Sequence, residues 1–211
     1  MAGFAISYLT GMAVASLVSA QGDWHDGLGW ERRFMMAVHT LGLPTLLDRA
    51  MLVMPWLGTN ITLVPLTIVV ATLVWWQGKR PHLAMQLIVT QLGSNLLNPG
   101  LKYLYDRARP DLWPKRGQYG WASYPSGHAI ATVAVLLTIA WVLERAYGWR
   151  WQYWVIPVVM VVSLYSRVYL GVHWPTDVIG GMLIGCVWLS FTMFAFRERA
   201  RGTTAADVAT A

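Results

Sequence analysis

The sequence predicts an all-α integral membrane protein: a bundle of six transmembrane helices, with short interfacial helices between the first two. Three observations lead there. The 211 residues are 56% hydrophobic and only 12% charged, against roughly 25% charged in soluble domains, and the mean hydropathy is +0.44. The apolar residues come in long continuous runs, not in the alternation that half-buried strands require. Six of these runs approach the roughly 20 residues needed to cross about 30 Å of hydrocarbon.

In chain order the expected spans are 3–20, 60–77, 83–103, 128–144, 154–166 and 177–196. The first has an alternative as a secretory signal, because Val18-Ser19-Ala20 resembles a cleavage site. Residues 1–5 carry no basic side chain, however, and a signal's leading region should. The fifth span is short unless Trp151 and Tyr153 extend it at the interface. Between the first two spans, residues 21–59 mix Asp23, Asp26, Glu31, Arg32, Arg33, Asp48 and Arg49 with Leu, Met and Trp. That pattern fits one or two short helices lying in the membrane interface. Residues 1–201 make a single domain. The tail 202–211 is small and polar with no apolar face, and is expected to be disordered.

Gly3, Ser7, Gly11, Ala15 and Ser19 repeat every fourth residue, and Gly181 and Gly185 offer a second small-residue seam. Such seams let membrane helices approach closely, within one bundle or, as the lesser alternative, in a homo-oligomer. Cys186 is the only cysteine, so it forms no intrachain disulfide; it reads as a small buried apolar residue. The 13 Trp, including Trp24, Trp30, Trp56, Trp75 and Trp76, suggest aromatic belts. The formal charge of +6 does not indicate nucleic acid. The cations stand at the ends of apolar runs and not along one polar face, which suits anionic lipid instead.

Three short motifs carry the chemistry. They are Lys102 with Arg109-Pro110, then Pro125-Ser126-Gly127-His128, then Ser166-Arg167 followed by His173 and Asp177. The first follows the third span and the second opens the fourth. The third runs from the end of the fifth span to the start of the sixth. Alternate crossings therefore put all of them on one membrane face.

A phosphate ester resists attack because its oxygens are negative and its alkoxide is a poor leaving group. Catalysis needs neutralising charge, a positioned nucleophile and an acid. His173 can supply the nucleophile, with Asp177 four residues on and Pro175 suited to a helix's first turn. A carboxylate on one ring nitrogen fixes the tautomer that exposes the other. Attack would give a phosphohistidine, later hydrolysed by water. His128 would protonate the departing oxygen. Ser126 and Gly127 at a helix start would offer backbone N–H groups and a hydroxyl to an anion. Lys102, Arg109 and Arg167 would hold the nonbridging oxygens. No metal cluster is visible in the sequence, and this chemistry requires neither metal nor cofactor.

Taken singly, each residue has an ordinary explanation: a helix-start acid, a snorkelling anchor, a helix-terminating Arg-Pro. Jointly they gather six ionisable groups on one face at fixed spacing. Asp106, Arg107, Asp111, Lys115 and Arg116 read as loop ion pairs or headgroup contacts. Asn95 and Asn98 read as interhelical hydrogen bonders, and His25, His39 and His82 as interfacial residues.

The order K-x6-RP, PSGH and SR-x5-H-x3-D resembles the type 2 phosphatidic acid phosphatase family, membrane relatives of vanadium haloperoxidases. The motifs cover residues 102–177, and the six-span layout extends the likeness over most of the chain. The resemblance implies a phosphatase of lipid phosphates or diphosphates, with the matching residues in the roles just described. Substrates it implies are undecaprenyl diphosphate, phosphatidylglycerol phosphate, phosphatidic acid and lipid A phosphate. Alternatives are a phosphotransferase using the same phosphohistidine, a non-catalytic lipid-binding subunit, and a vanadate-dependent oxidant. Lys and Arg counts hardly orient the chain: nine on the motif face against seven opposite, or six once Lys102, Arg109 and Arg167 are set aside. The seven include Lys79, Arg80, Arg145 and Arg150 in short loops at span ends, where the positive-inside rule counts most. Together with the resemblance, this puts the motifs outside a bacterial inner membrane and both termini in the cytoplasm.

Overall fold

The computed structural model describes residues 2–115 and 119–209, with side chains through Arg197. Its regular elements are α1 (Ala2–Ser19), α2 (Gly29–Leu41), α3 (Thr45–Val53), a 3-10 turn (Met54–Gly58), α4 (Asn60–Trp76), α5 (Pro81–Tyr105), α6 (Gly127–Tyr147), α7 (Gln152–Tyr169) and α8 (Pro175–Ala209). The six long helices coincide with the six expected spans, and α2, α3 and the turn occupy the expected interfacial segment. The expected tail 202–211 lies outside the residues described with side chains.

Among the described residues, α1, α6 and the Pro175–Arg197 part of α8 are long and apolar enough to cross a membrane alone. α4 has 17 residues and meets Thr45–Gly58 at a 53° bend; the two together qualify as one broken or re-entrant span. α5 is longer, at 25 residues, but more polar, with Gln86, Thr90, Gln91 and Ser94 buried against its neighbours. α7 starts at Gln152, so Tyr153 does lengthen the short fifth span.

α6 is the central helix, packed against α8, α5, α4 and α7. Twelve of its residues are buried, Ala129 to Val142 almost without a break, so it is apolar all round as a central helix should be. Lipid tails are as apolar as leucine, so close packing and interhelical hydrogen bonds hold such a bundle. Thr90 shows both: its hydroxyl lies 3.2 Å from that of Thr192, and its carbonyl accepts from the Trp188 indole at 3.0 Å. Gln91 reaches Asn60 on α4 at 3.4 Å and Asn95 at 3.2 Å.

Both small-residue seams are used inside the chain. A Cβ at Gly3 would meet the Phe191 ring, and one at Gly11 would meet Leu101 and Ile184, so α1 lies flush on α8 and α5. A Cβ at Gly181 or Gly185 would press on the carbonyls of Ser126, just before α6, and of Ile130 within it. The α1 ladder departs from expectation at its end, where Val18 is buried and Ser19 exposed. Four residues turn about 400°, so a strict i+4 row drifts off one face after several steps.

Cys186 is a correction. It is exposed, on the outward side of α8 with Met182, Leu183 and Ser190, because Ile184, Gly185, Trp188 and Leu189 take the inward side. Trp30, Trp56, Trp75 and Trp76 are exposed as belt residues would be. Trp24 instead turns inward, its ring edge-on to Tyr105 and Tyr124.

Candidate active site

The loops between α5 and α6 and between α7 and α8 meet at one end of the bundle. There, a cavity of about 470 Å³ is lined by Lys102, Arg109, Gly127, His128, Arg167 and His173, together with Gly58, Asn60, Asn95, Asn98 and Tyr119. Residues from four helix ends are thus brought together, as the expected alternation of six spans requires. The interfacial turn closes one side: a Cβ at Gly58 would sit 2.5 Å from Thr132 Oγ1 and 3.3 Å from the His128 ring.

His173 lies on the α7–α8 loop. Gly171 makes the turn possible, since its φ of +68° is left-handed and a Cβ there would strike the Trp113 indole. The imidazole is 3% exposed. Its Nε2 is 3.4 Å from Arg109 Nη1, and its Nδ1 is 3.5 Å from both Asp177 Oδ2 and Ser123 Oγ. α8 begins at Pro175, so helix geometry does not reach back to His173. The His–Asp pair is correspondingly long for a hydrogen bond.

Asp177 has closer partners. Oδ2 accepts from the Ser123 hydroxyl, in a short hydrogen bond, and from the Trp174 N–H at 2.8 Å; Oδ1 accepts from Arg107 at 2.7 Å. Arg107 is fully buried and serves as an ion pair, but a structural one inside the site rather than a loop or headgroup contact. Its Nη2 meets Glu31 at 2.8 Å, its Nη1 also donates to Thr176 Oγ1 at 2.7 Å, and its Nε donates to the Trp24 carbonyl at 2.8 Å. The guanidinium carbon stands 4.6 Å from the Trp24 ring and 5.6 Å from that of Trp174. Glu31, expected on the polar face of an interfacial helix, is buried with it.

The three expected cations differ in how free they are. Lys102 Nζ donates to the carbonyls of Ala122 and Ser123 at 2.6 and 3.3 Å, which leaves one N–H to spare. Arg109 donates to the carbonyls of Gly120 and Val172 and faces the Tyr119 ring. Arg167, in the last turn of α7, faces the same ring, and its Nε has no partner among the described residues. The Ser126 hydroxyl and His128 Nε2 are likewise buried without one. These orphan polar atoms around a cation-lined cavity suit an oxyanion, since buried polar groups need partners.

Two expectations need correction. The Ser126 backbone N–H is not free for an anion, because it donates to the Asp177 carbonyl at 3.0 Å and ties α6 to α8. Asn98 is not simply an interhelical hydrogen bonder: it lines the cavity, and its amide occupies the space where a Gly127 side chain would go. Ser123 also belongs to the site, although no motif in the sequence marks it.

Fold and site together define a helical membrane protein with a cationic cavity against a buried histidine. The PAP2 superfamily model matches residues 83–201. The undecaprenyl-diphosphatase of Sulfolobus acidocaldarius is 37% identical over 52% of this chain and 52% of its own length. Phosphatidylglycerophosphatase B of Bacillus subtilis is 33% identical over 68% of this chain and 71% of its own length. The crystal structure of a transmembrane PAP2 type phosphatidylglycerolphosphate phosphatase from Bacillus subtilis superposes with a TM-score of 0.78 at 25% identity, covering 94% of this chain and 98% of that one. The chain belongs to the PAP2 superfamily. The match thus spans about half the length of the archaeal relative and most of the bacterial one.

Proposed function

We propose that this protein hydrolyses membrane lipid phosphates or diphosphates through a phosphohistidine on His173, at the extracytoplasmic face of the inner membrane. One observation carries the reading. His173 presents Nε2 to a cavity ringed by Lys102, Arg109 and Arg167, while Nδ1 faces Asp177 and Ser123. The phosphate would lie among the three cations, with the Ser126 hydroxyl and the Gly127 N–H as further donors. Nε2 attacks phosphorus and the bond to the lipid oxygen breaks. His128 gives that oxygen its proton, then takes one from the water that cleaves the N–P bond. The cations neutralise the charge that a metal ion neutralises in other phosphatases, so no metal is needed.

The relatives' substrates favour undecaprenyl diphosphate and phosphatidylglycerol phosphate, with phosphatidic acid and lipid A phosphate as further candidates. The lipid tail would stay in the bilayer and enter between helices near the Met54–Gly58 turn. The test is phosphate release by purified protein from a panel of these lipids with EDTA present. Turnover should persist in EDTA. Vanadate should inhibit competitively, because it mimics the trigonal-bipyramidal transition state. Strict dependence on added divalent ions, with vanadate inert, would overturn the reading. Supplying an alcohol acceptor in the same assay separates hydrolysis from phosphotransfer.

A further inference from the structure

Among the described residues, the Glu31 carboxylate accepts four hydrogen bonds. The donors are the Leu28 N–H at 2.9 Å, Arg107 Nη2 at 2.8 Å, the Thr176 N–H at 3.1 Å and the Thr176 hydroxyl at 2.6 Å. That environment matches the acceptor-only chemistry of a carboxylate and penalises a carboxamide, which brings two N–H donors of its own. Glu31, Arg107 and Asp177 all have fully buried side chains. Two carboxylates around one guanidinium leave the cluster with one net negative charge. Without Glu31 the Arg107–Asp177 pair would be neutral, and Asp177 would hold little charge for the His173 ring.

We infer that Glu31 is a positioning residue for the reaction: it is the counter-ion that keeps Arg107 from neutralising Asp177, so that Asp177 can stabilise His173 as it becomes positive. The inference rests on the phosphohistidine reading. Formation of the N–P bond puts positive charge on the imidazole, and the only carboxylate facing that ring among the described residues is Asp177. The other charged or titratable groups around the cavity that His173 lines are Arg109 and Tyr119 from the α5–α6 loop, Lys102 from α5, Arg167 from α7 and His128 from α6. Three of these are cations, which makes one uncancelled negative charge matter. Arg107 would then set Asp177 in place while Glu31 sets how much of its charge is free.

The test uses the full-length purified chain and a lipid phosphate that the wild type hydrolyses. Glu31→Gln should lower kcat by roughly tenfold to a hundredfold with KM changed less than about threefold, since the charge acts on the reaction and not on substrate binding. Glu31→Asp should recover a large part of that loss. The acid limb of kcat/KM should move to lower pH in Glu31→Gln, because removing a negative charge makes the His173 imidazolium less favourable. The double variant Glu31→Gln with Arg107→Gln keeps the net charge at minus one. It should be faster than Arg107→Gln alone, which leaves two buried carboxylates facing each other.

A purely structural Glu31 predicts otherwise: an unmoved pH limb and Glu31→Asp no better than Glu31→Gln would overturn the inference. Should Arg107→Gln fail to fold, the Glu31 pair and its pH profiles still decide. His173→Ala is assayed in the same series. Turnover by folded His173→Ala removes the phosphohistidine reading itself. An inert His173→Ala beside an unshifted Glu31→Gln removes only the role of Glu31.

Discussion

Arg107 lies 2.7 Å from the Asp177 carboxylate, closer than the His173 ring at 3.5 Å. The carboxylate expected to serve one histidine is therefore shared, and its tighter partner is a buried arginine. Ser123 completes the set by donating to Asp177 Oδ2 from a position 3.5 Å from His173 Nδ1. Substrate binding need move the imidazole only a few tenths of an ångström to make the His–Asp contact a hydrogen bond, a tightening common when catalytic sites fill.

His173→Ala should abolish turnover while the protein stays folded, as its ring makes no ion pair that the bundle depends on. Asp177→Asn should differ on both counts. A small residual rate is expected, together with a loss of stability of about 1–3 kcal/mol, because the new amide N–H group faces the Ser123, Trp174 and Arg107 donors while Glu31 still pairs Arg107. Single-turnover assays and detergent-solubilised melts read the two effects. Near wild-type hydrolysis by a folded His173→Ala protein would falsify the nucleophile assignment.

His128→Ala should harm natural lipid esters far more than an aryl phosphate. A p-nitrophenolate leaves without protonation, whereas a lipid alkoxide does not. General acids contribute about a hundredfold or more, so the ratio of the two losses should be at least tenfold. Equal losses on both substrates would make His128 a phosphate ligand and not the acid.

The acid limb of kcat/KM should lie below the ordinary imidazole range near pH 6.5. Burial first, and then the charges of Arg109, Arg167 and Lys102, hold His173 well below that value. A depressed value keeps the ring neutral, and nucleophilic, as pH falls. Arg109→Gln removes one cation and should carry the limb upward. Comparing the two proteins on one substrate cancels the substrate's own ionisation. A limb that stays put, or moves down, contradicts this account.

The orientation is open to a cysteine-labelling test in intact cells. With Cys186→Ala as background, Asp111→Cys in the α5–α6 loop should react with a membrane-impermeant thiol reagent from outside. Trp149→Cys in the α6–α7 loop should react only after lysis. Both positions are exposed. The reverse pattern would put dephosphorylation in the cytoplasm.

The sequence discloses the helices well because a bilayer demands continuous apolar runs, and the parity of the crossings follows from counting them. Lys102, Arg109, Gly127, His128, Arg167 and His173 could be placed at one end on that basis alone. Glu31 could not, since a carboxylate amid Leu, Met and Trp looks like the wet side of an interfacial helix. Its partner Arg107 is 76 residues away. The one local hint was its position three residues after Leu28, where a glutamate commonly turns back on a helix start. Arg107 was hidden by Arg109 beside it, and Ser123 by the absence of any pattern around it. The Ser126 N–H departs from expectation for a different reason: a helix start offers its amides to any acceptor, and here the Asp177 carbonyl arrives first. Cys186 was a matter of rotation about the helix axis, which a uniformly apolar segment does not reveal.

The burial of Glu31 bears on which part of the chain the site needs. The family match starts at residue 83, and a fragment cut there would retain every motif residue. It would lack Glu31, the Trp24 ring over Arg107 and the Gly58 turn against His128. Such a fragment would leave Arg107 paired with Asp177 alone, without its second carboxylate. The buried cluster around Arg107 thus reaches back past the start of the family match, and a change at Glu31 or Trp24 would alter the surroundings of a motif carboxylate 145 or more residues away.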